Sequence, residues 1–349
     1  MRVYANVPLA TRTSLRVGGP AARVVEVDRE EALPDLVRDA ADADEALVVL
    51  GDGTNVVAGD GGWPGMVLQV GVRGVDVRRD GDRVRVDVGA GETWDTFVER
   101  AVDEGWCGVE SLSGIPGRVG ATPIQNVGAY GWDVGETIES VRVFDREEKT
   151  FADVSGKACQ FGYRASLFKA TDRYIVTRVA FTLDVRATCT VRYAELARAL
   201  SIPPGAQGPL AEVRTTVISL RRAKGMVLDP SDPDTVSAGS FFVNPIVDAS
   251  TLARVAARAG EAPPSFAAGG GLHKVAAAWL VERAGFRRGW RKGQVGVSRK
   301  HSLALVNLGG ATASELLAVA RHVRDGVRTR FAIELEPEPV FLGCSWSAP

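Results

Sequence analysis

Apolar and polar residues alternate along the chain with a period that changes from segment to segment. ARVVEVD (22–28) alternates every second residue, the pattern of a half-buried strand. EEALPDLVRDAADA (30–43) shifts to the helical period and carries a proline near its start, where a missing N–H costs little. ALVVL (46–50) reads as a short buried strand that runs straight into the turn GDGTNVV (51–57). MVLQV (66–70), RVRVDVGA (83–90), SVRVFDR (140–146), RYIVTRVAFTLDV (173–185) and SLALVNLG (302–309) read as further strands. TWDTFVERAVDEG (93–105) predicts a helix that places Phe97, Val98, Ala101 and Val102 on one face. Other helices are predicted over 193–201, 213–226, 250–260 and 275–285. The last helix opens on the capping box TASE (312–315) and buries Leu316, Val319, Ala320, Val323 and Val327. The order predicts an α+β or mixed α/β chain built in segments, without an internal repeat.

Length adds that two or three domains fit into 349 residues. A net charge of −1 supplies no basic field, so neither nucleic acid nor anionic lipid is an expected partner. Cys107, Cys159, Cys189 and Cys344 are scattered and form no C-x-x-C pair, so reduced thiols are expected and no metal site. No apolar run is long enough to span a bilayer and the start has no apolar leader, which makes the cytoplasm the simplest location. Histidine occurs only at 273, 301 and 322, and no G-x-S-x-G elbow exists, so a Ser-His-Asp hydrolase is poorly supported.

The chemistry concentrates in a few motifs. In GDGTNVV, Gly51 and Gly53 fit a dinucleotide fingerprint, but Val56 stands where the third glycine belongs and no helix start follows. A tight turn with a left-handed Asn55 and a phosphate cradle both remain open. A second glycine-rich run, SLSGIPGRVGATPIQNVGAYGWDVG (111–135), reads as an ordered loop rather than a helix. Gly114, Gly117, Gly120 and Gly128 would allow close backbone approach, and Gln125 and Asn126 offer amide edges to a ring. Together the two loops can present backbone N–H groups to a pyrophosphate. In FGYRASLFK (161–169), Arg164 is either a surface side chain with a snorkelling stem or an anion clamp. Glu334, Glu336 and Glu338 share one face of an extended segment, with the first two on a solvated edge. Glu338 lies between two prolines, which suits an aimed carboxylate and a rigid surface turn equally. His301 precedes an apolar strand and is structural or polar-functional. SAGSFFVNP (237–245) sets Ser240 between a glycine and two phenylalanines, as a buried structural hydroxyl or a proton donor.

Taken in order, RTSLRVGGPA (12–21), LGDGTNVV (50–57), SGIPGRVGATPIQNVGAYG (113–131), FGYRAS (161–166), SAGSFFVNP and LEPEPVFLG (335–343) resemble the UDP-N-acetylenolpyruvoylglucosamine reductase (MurB) family over essentially the whole chain. VRYAEL (191–196) is similar to the tyrosine loop of its longer, type I form. The resemblance implies an α+β chain with a flavin fold of the vanillyl-alcohol-oxidase/PCMH type, two α+β subdomains, and a C-terminal α+β substrate domain. The implied division is 1–72 joined by 332–349, then 73–228, then 229–331. It implies non-covalent FAD held by Gly51, Asp52, Gly53, Thr54, Asn55 and Val56, by Gly114, Pro116, Gly117, Gly120, Ala121, Asn126 and Gly128, and near Arg221. On the substrate side it implies Tyr130, Tyr163, Tyr193, Lys224, Asn244 and His301.

The implied reaction has two halves in peptidoglycan precursor synthesis. NADPH gives a hydride to FAD; a hydride then reaches the methylene carbon of UDP-N-acetylglucosamine enolpyruvate, and protonation of the neighbouring carbon yields UDP-N-acetylmuramate. By motif match Ser240 donates that proton, while Arg164 and Glu338 stabilise the developing charge. Val243 departs from the family pattern, which often has a polar residue before Asn-Pro. A monomer without membrane insertion is expected. Two alternatives are an FAD oxidase of the same fold and a non-catalytic nucleotide-sugar-binding protein. Because no histidine lies near either glycine-rich loop, we expect acid precipitation to leave the flavin in the supernatant. Yellow colour retained by the washed precipitate would contradict this.

Overall fold

The strand Tyr174–Val185, rich in β-branched and aromatic residues, is the longest extended element, and a sheet forms around it. It pairs antiparallel with Ile138–Asp145 on one side and with Arg83–Gly89 on the other. Thr150–Ser155 and Val75–Asp80 close the two edges. The helix Trp94–Asp103 turns Trp94, Phe97, Val98, Ala101 and Val102 inward, the face its periodicity predicts. Phe97 stacks on Phe181 of the long strand at 4.9 Å between ring centroids.

The computed structural model describes residues 1–347. Within it the chain forms two units, each made of non-contiguous segments: 1–7, 21–52 and 64–223, and then 8–20, 53–63 and the rest from 224. The first unit holds the sheet just described. It also holds a four-stranded sheet in the order Arg2–Pro8, Pro20–Val27, Trp63–Val70, Leu47–Val49, with the last two parallel. Helix Leu33–Asp42 buries Leu33, Leu36, Val37 and Ala40 in the same apolar cluster. A smaller cluster joins helices Ala194–Ala199 and Leu210–Ala223 through Leu196, Leu210, Val213 and Val217.

In the second unit, Ser237–Ser240, Ala304–Asn307, Val295–Val297 and Arg291–Lys292 form an antiparallel sheet in that order. Helix Ala313–Phe331 packs its predicted apolar face into the same cluster as Phe241 and Phe242. Val340–Leu342 runs parallel to Val56–Ala58. The capping box is formed between Thr312 and Glu315. Asp60 adds a second cap, accepting from the N–H groups of Ala313 (2.7 Å) and Ser314 (2.9 Å) and from the Ser314 hydroxyl (2.6 Å).

Several boundaries differ from the expectations. The glycine-rich run 111–135 is not loop throughout. It contains the short helices Val119–Ala121 and Thr122–Gln125, the second opened by Pro123 and stopped by Asn126 at φ 47°. In GDGTNVV the left-handed residue is Gly53 (φ 61°), not Asn55. Val275 ends a strand instead of starting a helix, and the helix expected over 213–226 runs from Leu210 to Ala223. The strand Arg2–Pro8 is not among the expected ones: Val3, Ala5 and Val7 do alternate with Arg2, Tyr4 and Asn6, but almost every residue in it is exposed. All four thiols are free, with Cys159 and Cys189 buried. No helix among the described residues is long and apolar enough to cross a membrane.

Asp60→Ala removes the acceptor for two helix N–H groups, a loss of about 1 kcal/mol or somewhat more. We expect Tm to fall by about 2–4 °C, measured by differential scanning calorimetry with FAD content unchanged.

Candidate active site

Gly51 and Asp52, which open the first glycine-rich turn, meet the second glycine-rich run in the first unit, whereas residues 53–57 belong to the second unit. Gly51 and Asp52 follow the strand Leu47–Val49, and the side-chain amide of Gln69 donates to the Gly51 carbonyl at 3.0 Å. Arg118 of the second loop donates through Nε to Asp52 Oδ1 at 2.6 Å and through Nη1 to the Val70 carbonyl at 3.2 Å. A Cβ added to Gly51 would find only the Ala121 Cβ within 4 Å, at 3.9 Å, so the turn borders open space there. The second loop lies directly on the sheet. Gly120 donates to the Ala90 carbonyl (3.0 Å), and a Cβ on Gly120 would stand 2.5 Å from the Ala90 Cβ. Gly114 donates its N–H to Asp95 Oδ1 at 2.6 Å.

The Tyr-Arg motif is bound to this loop by side chain and main chain. Asn126, left-handed, donates from Nδ2 to the Gly162 carbonyl (2.9 Å) and accepts the Gly135 N–H at Oδ1 (2.9 Å). Ser166 donates to the Ile124 carbonyl at 2.6 Å. Arg164, itself at φ 54°, reaches back to the carbonyls of Gly128 (2.7 Å) and Asn126 (3.3 Å), and Asp133 lies 3.7 Å from its guanidinium. It is therefore no loose surface side chain. Lys169 holds the Arg164 carbonyl at 2.8 Å. Tyr163 lies under the Arg164 guanidinium, and Tyr130 meets Tyr193 edge-on at 5.7 Å.

Arg221, in the last turn of Leu210–Ala223, shares this surrounding. Burial pushes its guanidinium down to about 10, Tyr130 and Asp95 oppose that, and the like charge of Arg164 adds to it. Burial raises the Tyr130 hydroxyl to about 12, tempered by Arg221. At neutral pH the result is two guanidinium charges near enough to repel and a neutral phenol, an arrangement that an anion would relieve.

In the second unit Ser240 ends the strand Ser237–Ser240 and pairs with Ala304. Phe241, next in sequence, is bonded on both sides. Its N–H donates to the Leu303 carbonyl and its carbonyl accepts the Glu338 N–H, each at 2.8 Å. Val243 donates to the Glu336 carbonyl at 3.0 Å, so the Ser motif and the segment carrying Glu338 run side by side. Asn55 joins them, donating from Nδ2 to the Glu338 carbonyl (3.3 Å) and accepting the Val340 N–H (2.9 Å). His301 Nδ1 accepts the Leu303 N–H at 3.1 Å, which places the ring proton on Nε2. Asn244 is partly committed to structure, since its Oδ1 accepts the first N–H of helix Ala277–Arg283 at 2.9 Å. Lys224 follows Leu210–Ala223 directly and is half-buried. Glu334 and Glu336 are exposed, as a solvated edge requires, whereas Glu338 is half-buried. Ser240, Glu338, His301 and Asn244 thus belong to one unit, and Arg164, Arg221, Tyr130, Tyr163 and Tyr193 to the other.

Residues 230–342 match the family model described as UDP-N-acetylenolpyruvoylglucosamine reductase, C-terminal domain, and residues 21–152 match an FAD binding domain. A UDP-N-acetylenolpyruvoylglucosamine reductase of Thermobifida fusca is 52% identical over 346 residues, 97% of each chain. That of Salinispora arenicola is 48% identical over 349 residues, 98% of this chain and 96% of its own. The chain belongs to the UDP-N-acetylenolpyruvoylglucosamine reductase family. Among solved structures, the reductase of Thermus caldophilus has the same fold, with a TM-score of 0.69 at 26% identity over 98% of this chain and 99% of its own. The fold is accordingly the FAD-binding α+β fold of these reductases with a separate C-terminal domain.

The residues fit the FAD of a reductase of this family. The N–H groups of Gly51 and Asp52 have no protein acceptor among the described residues, and the Asp52 carboxylate is drawn onto Arg118. An opening without a Cβ, lined by backbone donors, suits a pyrophosphate. Sequence reasoning did not find the side chains that hold the loops in place. Arg214, buried in Leu210–Ala223, donates to both carboxylate oxygens of Asp95 at 2.7 and 3.1 Å, while Asp95 holds Gly114. An isolated Asp and an Arg 119 positions apart leave no local signal.

Burial alone would raise the Asp95 carboxyl, but the bonds from Arg214 and Gly114 outweigh it and hold the group below its usual range. A depressed folded value means the contribution is complete above the unfolded value near 4 and disappears as pH falls through the folded one. We expect Asp95→Asn to lower Tm by about 4–8 °C at pH 7. The gap from the parent should narrow below about pH 4. A gap that stays constant down to pH 2.5 would mean that the charge contributes nothing.

Proposed function

We infer that this chain reduces UDP-N-acetylglucosamine enolpyruvate to UDP-N-acetylmuramate with FAD and NADPH, in peptidoglycan precursor synthesis. The observation that carries the reading is the pairing of the Ser240 strand with the Glu338 segment through Phe241. Two residues suited to a proton transfer, far apart in sequence, are held on adjoining backbone in a family whose chemistry needs one. When bound, FAD supplies hydride transfer from NADPH to the methylene carbon of the enol ether.

The chain's own residues supply the rest. Hydride addition leaves the neighbouring carbon electron-rich, and Ser240 gives it a proton from Oγ. Serine is a weak acid, so the transfer relies on a strongly basic carbon and on a hydroxyl fixed in place. Arg164 offers a guanidinium, oriented by the carbonyls of Gly128 and Asn126, to the substrate carboxylate. Its positive charge, with that of Arg221, favours the charge that develops there. Glu338 polarises the reacting system from the segment beside Ser240. Lys224 meets the diphosphate, and Tyr193, edge-on to Tyr130, closes over the sugar nucleotide. Tyr163, Asn244 and His301 contribute further substrate contacts, with His301 offering an Nε2 proton. The glycine-rich residues 51–56 and 114–128 hold FAD without a covalent bond.

The functional division is 1–72 with 332–349, 73–228 and 229–331; the pairing of Val340–Leu342 with Val56–Ala58 supports the return of the C-terminus, whose last two residues lie outside the described ones. A sugar-nucleotide substrate and NADPH place the enzyme in the cytoplasm, where we expect it to act as a monomer.

Anaerobic NADPH should bleach the yellow protein, and UDP-N-acetylglucosamine enolpyruvate should restore its colour; flavin that stays reduced overturns the assignment. In Ser240→Ala we expect flavin reduction by NADPH within about twofold of the parent and reoxidation by substrate slower by about 10²–10⁴-fold. Equal loss in both halves would make Ser240 a structural residue.

A further inference from the structure

Beyond the last strand the chain turns at Gly343 (φ 65°) and inserts Trp346 among three phenylalanines. The indole stacks on Phe341 at 6.0 Å with planes 16° apart, and it meets Phe241 and Phe242 at 6.1 Å each. Phe241 and Phe242 contact each other at 5.1 Å and are 1% and 2% exposed. They are the two residues that follow Ser240.

The tail is also fastened from outside. Arg321 donates from Nε to the Trp346 carbonyl (3.1 Å) and from Nη2 to the Ser345 carbonyl (2.9 Å). Arg324 stands 5.0 Å from the centre of the indole. Both arginines belong to Ala313–Phe331. One helix therefore holds the tail by its main chain and its ring at once.

We propose that Trp346 is a positioning residue for proton transfer from Ser240, acting through Phe241 and Phe242. The proposal rests on Ser240 being the proton donor. The direction of the Ser240 Oγ depends on the backbone on either side of it. On the C-terminal side that backbone is set by where two buried rings come to rest, and Trp346 forms one wall of their site. Removing the indole leaves a void that the two rings fill by moving. A shift of about 1 Å in a reacting group costs on the order of 10²-fold in rate. Phe341 lies on the strand paired with Val56–Ala58, but no ring of this group belongs to the flavin-binding loops themselves, so reduction by NADPH is the half that should change least.

The test uses the holoenzyme with Trp346→Ala, Trp346→Phe, Arg324→Gln, Ser240→Ala and the double variant Trp346→Ala with Ser240→Ala. Stopped-flow measurement separates the two half-reactions, and hydrogen exchange follows the amides of Phe241 and Val243. For Trp346→Ala we expect full FAD content and reduction by NADPH within about twofold of the parent. Reoxidation by substrate should slow by about 10- to 100-fold. Exchange at Phe241 and Val243 should speed up while that of Val141 and Val179 is unchanged. Trp346→Phe should recover most of the lost rate. Arg324→Gln, which opens no cavity, should show a milder slowing of the same half, and it decides the matter if Trp346→Ala does not fold. In the double variant, loss of Trp346 should add nothing to loss of Ser240.

Equal slowing of both halves, an unchanged substrate half, or a slowing that persists without the Ser240 hydroxyl overturns the proposal. A strong effect of Ser240→Ala beside none of Trp346→Ala rejects the latch and keeps the proton donor. An unimpaired Ser240→Ala rejects both.

Discussion

The first unit's site depends on one close approach, where Gly120 rests on Ala90 with only the Ala90 methyl beside it. Two neighbouring bonds extend the contact: Val119 donates to the Glu92 carbonyl and Trp94 to that of Gly117, both at 2.9 Å. The glycine-rich loop is thereby fixed to the end of the strand Arg83–Gly89 and the start of the helix Trp94–Asp103. Asn126, Gly128 and Tyr130 lie further along that loop, and Arg164 is anchored to it in turn. A methyl group on Gly120 would separate the loop from the sheet, and the position of every polar group beyond it would change.

Electrostatics follows from the same geometry. Arg164 and Arg221 are held by elements distant in sequence, yet each feels the charge of the other. Proteins rarely bring like charges together under partial burial unless an anion completes the site. The substrate carboxylate proposed above would supply one. The unit meanwhile pairs Arg214 with Asp95, whose charge also reaches Arg221.

Much of this was legible in the chain. Alternation located the central strands, and helical periodicity gave the buried faces of Trp94–Asp103 and Ala313–Phe331. The capping box at Thr312 named its helix start to the residue. What escaped had physical reasons. Arg2–Pro8 is an edge strand whose brief apolar side, Val3, Ala5 and Val7, buries almost nothing. Thr122–Gln125 is a single turn created by Pro123 and Asn126, too short for any periodicity. Motif order brought out Ser240, Arg164 and Glu338, but the groups that hold their surroundings (Asp95, Arg214, Lys169, Trp346) act through tertiary contacts that leave no local pattern. Trp346 lies beyond the last motif, LEPEPVFLG, in a stretch too short for any periodicity.

The parallel pairing of Val56–Ala58 with Val340–Leu342 bears on how the protein is made. Asn55 and Glu338 are bonded although 283 positions separate them. At ordinary translation rates the ribosome needs roughly 15 to 60 seconds to cover that distance. Throughout that time the apolar strand Val56–Ala58 has no partner, while the segments on either side of it, 21–52 and 64–223, can already form their own unit. Until Phe341 has been made, Val57 lacks the strand it pairs with, and the growing chain carries an unpaired apolar edge.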